Sequence, residues 1–253
     1  MHSATVTDSR FSTARLLRLL QMERAHFWFV GRQALVEGLI NQTLSRQSVI
    51  LDIGCGTGWM VEKLTRDGYR VAGMDLKSEG LLAASRMLPE VGLVQAEASH
   101  LPFEKNSFGA VLLLDILEHV DDRAALREIR SILQPGGIVI MTVPALPWLW
   151  SYRDKAAGHL RRYTREGLRQ LIVQSGFEVQ EISYYQFVLL PIVVITRLLG
   201  RKGPAIRDME DQPHWLVNRV LTWINRLEVA LRPVVSWPRG SSIVAVFRKD
   251  ERI

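Results

Sequence analysis

The sequence predicts an α/β fold with a doubly wound, mostly parallel sheet, and three observations carry that expectation. Short apolar runs alternate with helix-period segments from residue 48 to residue 183, the order that puts helices on both faces of a parallel sheet. The run Val49, Ile50, Leu51, Asp52, Ile53 ends in a turn with Gly54, Gly56 and Gly58 at alternate positions, where a strand can hand over to a helix and a ligand can approach the backbone. Finally, 253 residues, 47% apolar and 23% charged, suffice for one large domain with an insertion.

The elements follow in order. Residues 12–43 read as helical, with Leu16, Leu17, Leu19 and Leu20 leading into His26–Arg32 and then Leu35, Val36, Leu39 and Ile40. Residues 1–44 are expected to form an N-terminal helical lid. A strand at 48–53 and a helix at 59–66 come next. Asp67-Gly68 turns the chain into a strand at 70–74 that ends at Asp75. A helix at 79–87, strands at 92–95 and 108–114, and a helix at 122–133 follow. Pro135-Gly136-Gly137 turns into a strand at 138–143. Residues 144–163 read as a loop, 164–175 as a helix, 177–183 as a strand and 241–248 as the last strand. The core unit is therefore 45–186, and 240–253 supplies the last strand and tail. Between them, 187–239 reads as a helical insertion: an apolar segment over 187–199, a polar link over 201–212 and an amphipathic helix over 214–231. In that helix Leu216, Val220, Trp223, Leu227 and Leu231 recur at helical spacing.

Charge and cysteine set bounds on partners. The net charge is +6, with Arg153, Lys155, Arg161, Arg162, Arg165 and Arg169 crowding one stretch. Such a patch suits an anionic acceptor, a phospholipid surface or nucleic acid, or is a solvated helix face. Cys55 is the single cysteine, so no intrachain disulfide forms, which fits a reducing compartment. The N-terminus is not expected to be a signal peptide. The longest uncharged run of the C-terminal third, 182–196, falls short of the ~20 residues a spanning helix needs. A cytoplasmic location is expected, or a peripheral one at the inner membrane face.

The glycine turn narrows the ligand. A dinucleotide site wants a small residue where Trp59 stands, and no Lys-Ser/Thr follows for a P-loop. Asp52 with Gly54, Gly56 and Gly58 instead resembles motif I of the class I S-adenosylmethionine (SAM)-dependent methyltransferases. Asp75 ends the second strand, where an acid can accept from both ribose hydroxyls or cap a helix; Leu76 is beside it. Ala96-Glu97-Ala98-Ser99-His100-Leu101-Pro102-Phe103 resembles the family's adenine-side segment, with Glu97 where the family carries Asp. Ser107–Val111 and Leu114-Asp115-Ile116-Leu117-Glu118-His119-Val120 resemble two further stretches, with Gly109 in place of a usual Asp.

The resemblance implies a Rossmann-like sheet of seven strands, the last antiparallel, and SAM as cofactor. It implies Asp52, Gly54, Gly56, Gly58, Asp75, Leu76, Glu97, Ala98, Asp115 and Ile116 around that cofactor. Trp28 and Arg32 are read as part of the lid, through a ring facing a sulfonium and a guanidinium facing a carboxylate. Methyl transfer is a direct displacement, so a base is needed only if the acceptor must lose a proton. His119, His159, Asp154 and Tyr163 are the candidates, though His119 also reads as a residue holding its loop. Trp148, Trp150 and Tyr152 are expected to wall the acceptor pocket, with Arg161 and Arg162 as its cations. No metal is expected. Gly158-His159-x-Arg161-Arg162-Tyr163-Thr164 and Phe27-Trp28-Phe29-x-Gly31-Arg32 resemble a bacterial subgroup of lipid, glycan or secondary-metabolite pathways. The reading is a methyltransferase acting on an O, N or C atom of an apolar or lipid-linked small molecule, not a nucleic acid. The insertion roofs the acceptor, rests on a membrane or makes a homodimer. An RNA methyltransferase and a non-catalytic SAM- or lipid-binding protein stay open as alternatives.

Overall fold

A computed structural model describes residues 22–199 and 213–250. The predicted residues 12–21, the polar link at 201–212 and the end of the tail lie outside the described residues. Strand β1 (Val49–Ile53) has β2 (Arg70–Asp75) on one side and β4 (Phe108–Leu114) on the other, both parallel to it. Outward from β2 lies β3 (Gly92–Gln95); outward from β4 lies β5 (Leu133–Pro144), again parallel. Strand β7 (Ser242–Lys249) inserts antiparallel between β5 and β6 (Phe177–Tyr185). The full order is β3-β2-β1-β4-β5-β7-β6, seven strands with the last antiparallel. Chain direction across the sheet reverses between β1 and β4, the switch point where such sheets open a crevice at the strand carboxyl ends.

Alternation along the strands feeds two cores. Leu51, Ile53, Val111 and Leu113 point to one face and meet α4 (Asp122–Ile132) and α6 (Arg165–Gln174) through Leu126, Ile129 and Leu168. Ile50, Ala110, Leu112 and Ile140 point to the other face and meet α1 (Phe27–Thr43) and α2 (Trp59–Arg66) through Leu35, Leu39, Met60 and Leu64. Helix α3 (Ser78–Met87) links β2 to β3. Strand β5 starts earlier than the sequence suggests. Its register jumps from Phe108↔Leu133 to Ala110↔Ile138, so Pro135-Gly136-Gly137 is a bulge inside the strand.

Residues 144–163 are not one loop: a 3₁₀ turn (Pro147–Leu149) precedes α5 (Tyr152–Ala157), which opens on a capping box made by Ser151 and Asp154. The insertion forms α7 (Leu190–Leu199) and α8 (Trp215–Leu231) as expected, but α8 turns its predicted apolar stripe outward. Trp223 is 65% exposed and Leu216 51%, whereas Asn225 is 2% exposed. Asn218 Oδ1 accepts from Phe27 N–H at 2.9 Å and its Nδ2 donates to the Ala25 carbonyl at 2.6 Å. Asn225 Nδ2 donates to the Phe27 carbonyl at 3.0 Å. The Glu228 carboxylate accepts from Phe187 N–H and Val188 N–H, each at 2.9 Å. Gly31 makes this fit: a Cβ there would lie 2.7 Å from Asn225 Nδ2.

Candidate active site

At the carboxyl ends of β1, β2 and β4 the chain closes on a cavity of about 490 Å³. Gly54, Gly56 and Gly58 all have positive φ (77°, 55° and 80°), which other L-residues resist. The turn they make is tied to β2. Gly54 and Cys55 N–H donate to the Met74 carbonyl at 2.7 and 3.0 Å, and Gly56 N–H donates to Asp75 Oδ2 at 2.8 Å. Asp75 Oδ1 accepts from Lys77 N–H, also at 2.8 Å. Asp75 thus orders two turns while lining the cavity, and burial raises its carboxyl against the pull of these bonds.

Leu76, Ala96, Glu97 and Ala98 line the same end. Asp115 stands at the tip of β4 with φ 56°, a left-handed backbone that is strained for a residue with a side chain. Its position is overdetermined: Arg32 Nη1 approaches Asp115 Oδ2 at 2.6 Å, and Thr142 Oγ1 donates to Oδ1 at 3.0 Å. Ile116 packs on Gly54, where a Cβ would be 2.0 Å from its Cδ1. Trp28 and Arg32, from α1, line the cavity, and Arg32 already pairs with Asp115.

Asp52 and Gly58 fall outside this cavity. Asp52 sits behind the turn, beside a small void shared with Glu23 and Arg32. Burial pushes its carboxyl up to about 7, against the influence of Arg32. Gly58 is the N-cap of α2. Glu23 was not singled out in the sequence and carries no spacing signal. Its carboxylate accepts from Thr57 Oγ1 at 2.5 Å, lines the cavity beside Gly56, and is raised by burial.

The other end of the cavity takes its lining from α5, from Leu189 and α7, and from α8: Arg153, Ala157, Leu189, Ile192, Val193 and Leu221. The expected aromatic wall is elsewhere. Leu146 has φ 61°, and the 3₁₀ turn after it carries Trp148 outward, 58% exposed. Neither Trp150 nor Tyr152 reaches the cavity lining. Arg161 pairs with Asp122 at 2.6 Å, also away from the cavity. Tyr163 is a core residue whose phenol donates to the Leu117 carbonyl at 3.3 Å; burial pushes its pKa up.

His119, His159, Asp154 and Arg162 do come together, joined by Glu118. Asp154 is almost fully buried. It meets His159 Nδ1 at 3.1 Å, Arg162 Nε at 2.7 Å and Arg197 Nη1 at 2.9 Å. Burial alone would raise its carboxyl, but the His159 bond, Arg162 and Arg197 hold it well below the usual carboxylate range. Burial, then Arg197, lowers Arg162 to about 10. Glu118 is fully buried, and burial followed by Asp115 pushes its carboxyl far up.

The chain matches the methyltransferase domain family over residues 51–141, the stretch that holds the glycine turn, Asp75, Asp115 and Glu118. Over that segment the chain is similar to the class I SAM-dependent methyltransferases. The cofactor that goes with this superfamily is SAM. Among relatives, a probable SAM-dependent methyltransferase of Mycolicibacterium smegmatis is 24% identical over 62% of this chain and 61% of its own. A ubiquinone biosynthesis O-methyltransferase of Psychrobacter arcticus is 30% identical over 53% of this chain and 60% of its own. The phosphoethanolamine N-methyltransferase 2 of Haemonchus contortus, solved with SAM, superposes with a TM-score of 0.64 at 16% identity, covering 96% of this chain and 58% of that one. At that identity the likeness concerns the fold. The chain spans about half to three-fifths of the length of the relatives it matches.

Proposed function

We propose that this protein transfers a methyl group from SAM to an oxygen or nitrogen atom of a small acceptor with an apolar body, presented from a lipid surface. One observation carries the proposal: a single cavity joins the glycine turn, Asp75 and Asp115 to a wall of Leu189, Ile192, Val193 and Leu221. When bound, SAM supplies an electrophilic methyl on a sulfonium. The residues present suit such a group. Glu23 and Asp115 are anionic acceptors for an ammonium, Arg32 favours a carboxylate, and Asp75 keeps lone pairs for hydroxyls. Leu76, Glu97 and Ala98 flank the space for a base.

The acceptor end does the rest of the work through alignment and exclusion of water. His159 is the group best set to take a proton. Asp154 fixes its Nδ1 side, which leaves Nε2 as the basic nitrogen. The outward face of α8 supports delivery from a membrane surface. Trp215, Leu216, Val220, Trp223 and Leu227 are all exposed there, with Arg219 and Arg226 beside them. Tryptophan with arginine beside an apolar stripe suits an interfacial helix on anionic lipid. No helix among the described residues is long and apolar enough to cross a membrane.

The test uses SAM carrying a labelled methyl, with a bacterial lipid extract and bulk RNA offered separately. Label in the organic phase, lost in Asp75→Ala together with SAM binding by calorimetry, is the expected result. Label in the RNA would replace this reading with the nucleic-acid one, and absence of SAM binding would end it.

A further inference from the structure

Glu118 presents a charge problem that the methyl-transfer reading leaves unsolved. Its side chain is fully buried, it lines the cavity, and neither carboxylate oxygen has a hydrogen-bond partner among the described residues. Buried carboxylates persist when paired, hydrogen-bonded or coordinated to a metal. The nearest basic nitrogen, His159 Nε2, stops 4.0 Å from Glu118 Oε1, too far for a hydrogen bond. Arg162 and Arg32 act on Glu118 through space, and Asp115 acts against them.

The two histidines beside it are held from behind. His159 Nδ1 faces Asp154 Oδ1 at 3.1 Å, and His119 Nδ1 faces the Gly158 carbonyl oxygen at 3.2 Å. Both partners are acceptors, so each ring carries its proton on Nδ1 and keeps the lone pair on the other nitrogen. Their rings meet edge to face at a centroid distance of 4.8 Å. Glu118, His119 and His159 each offer a ligand atom, and these atoms lie within 4.8 Å of one another. Ligand atoms around one ion at ordinary bond lengths stand roughly 3–4 Å apart, so a small closing movement makes a coordination sphere. Imidazoles fixed by a carboxylate or a backbone carbonyl are the usual outer shell of metal-binding histidines.

We infer that Glu118, His119 and His159 form a binding site for a divalent transition ion, with Asp154 and the Gly158 carbonyl as its outer shell. Two imidazoles and one carboxylate suit Zn²⁺, Co²⁺ or Mn²⁺ better than Ca²⁺. All three ligands line the cavity, so the remaining coordination positions face the acceptor. That last point rests on the proposed methyl transfer and deepens it: the acceptor carries an oxygen, as hydroxyl or phosphate, that the ion binds. With an ion bound, His159 would be a ligand in place of the base, and the ion would lower the pKa of a bound hydroxyl, whose proton would go to solvent. The site assignment itself stands without this step.

The test is a Co²⁺ titration of metal-stripped full-length protein, read by visible absorption, with Zn²⁺ calorimetry alongside. One equivalent should bind, with ligand-field bands of an N/O site. Glu118→Gln and His119→Asn should each weaken binding at least tenfold, and Zn²⁺ should raise the melting temperature of the wild type but not of Glu118→Gln. Without metal, Glu118→Gln should be as stable as the wild type or more so, since it removes an unpaired carboxylate. Equal Co²⁺ affinity in wild type and Glu118→Gln, or no stoichiometric binding at all, overturns the site. SAM titrations on the same samples separate the two ideas. Metal binding without SAM binding sinks the methyl-transfer reading alone, and SAM binding without metal binding sinks the ion alone.

Discussion

Helices α4 and α8 carry the same kind of sequence and use it in opposite ways. Both alternate apolar and polar residues at helical spacing. Helix α4 buries Ala125, Leu126, Ile129 and Ile132 on the sheet. Helix α8 buries Asn225 and Glu228 and leaves Leu216, Val220, Trp223 and Leu227 exposed. The partner decides. A sheet has already paired its backbone groups, so only apolar surface remains to be covered. The partner of α8 is the start of α1 and the link after β6. There Phe27 N–H, the Ala25 and Phe27 carbonyls, and the Phe187 and Val188 N–H groups need partners. Buried backbone groups must be satisfied, so α8 docks by its amides and carboxylate. Periodicity reveals that a helix has two faces; it does not reveal which one its neighbour requires.

The contrast can be broken at several points. The largest effect is expected on the α4 side. Ile129→Ala, at a fully buried position, should cost about 2–5 kcal/mol in urea denaturation. Next comes Asp52, a carboxyl buried in the sheet half. Its folded pKa of about 7 lies above the ordinary carboxyl value of 3.8. Between those values the native state holds a proton that the unfolded chain has lost. Stability should therefore fall as pH rises from about 4 to about 7, by on the order of a few kcal/mol, and flatten beyond. Glu23 and Asp75 shift in the same direction. Denaturation midpoints across that range should show the decline, and a smaller decline in Asp52→Asn. On the α8 side, Asn225→Leu should cost about 1–3 kcal/mol, because the Phe27 carbonyl loses its buried donor. If that variant is more stable than the wild type, the polar docking of α8 is not what holds it. The smallest effect is outward. Trp223→Ser should change stability by less than about 0.5 kcal/mol yet reduce co-sedimentation with anionic vesicles; unchanged sedimentation would take the lipid surface away from α8.

The same lesson divides what was legible in the sequence from what was not. All seven strands were readable because each is a short apolar run closed by a turn signal, and β5 was merely entered late, at its bulge. The glycine-turn end of the cavity follows from strand ends, where direction is set by the pleat: Gly54, Gly56, Asp75, Asp115 and Ile116 all line it. The opposite end sits on non-repeating backbone, where one dihedral redirects several side chains. The left-handed Leu146 sends Trp148 to solvent, and the capping box at Ser151 turns Asp154 inward to gather His159, Arg162 and Arg197. The missing partner of Glu118 could not be read at all, because an absent hydrogen bond leaves no trace in residue spacing.

Gly31 draws the two halves together. Because nothing projects from it, Asn225 of α8 lies against α1, and α1 also carries Trp28 and Arg32, the latter clasped to Asp115 at the tip of β4. The outward stripe and one end of the cavity are thus propped on the same helix, and Gly31 is where the props meet: any side chain at position 31 would push α8 off α1.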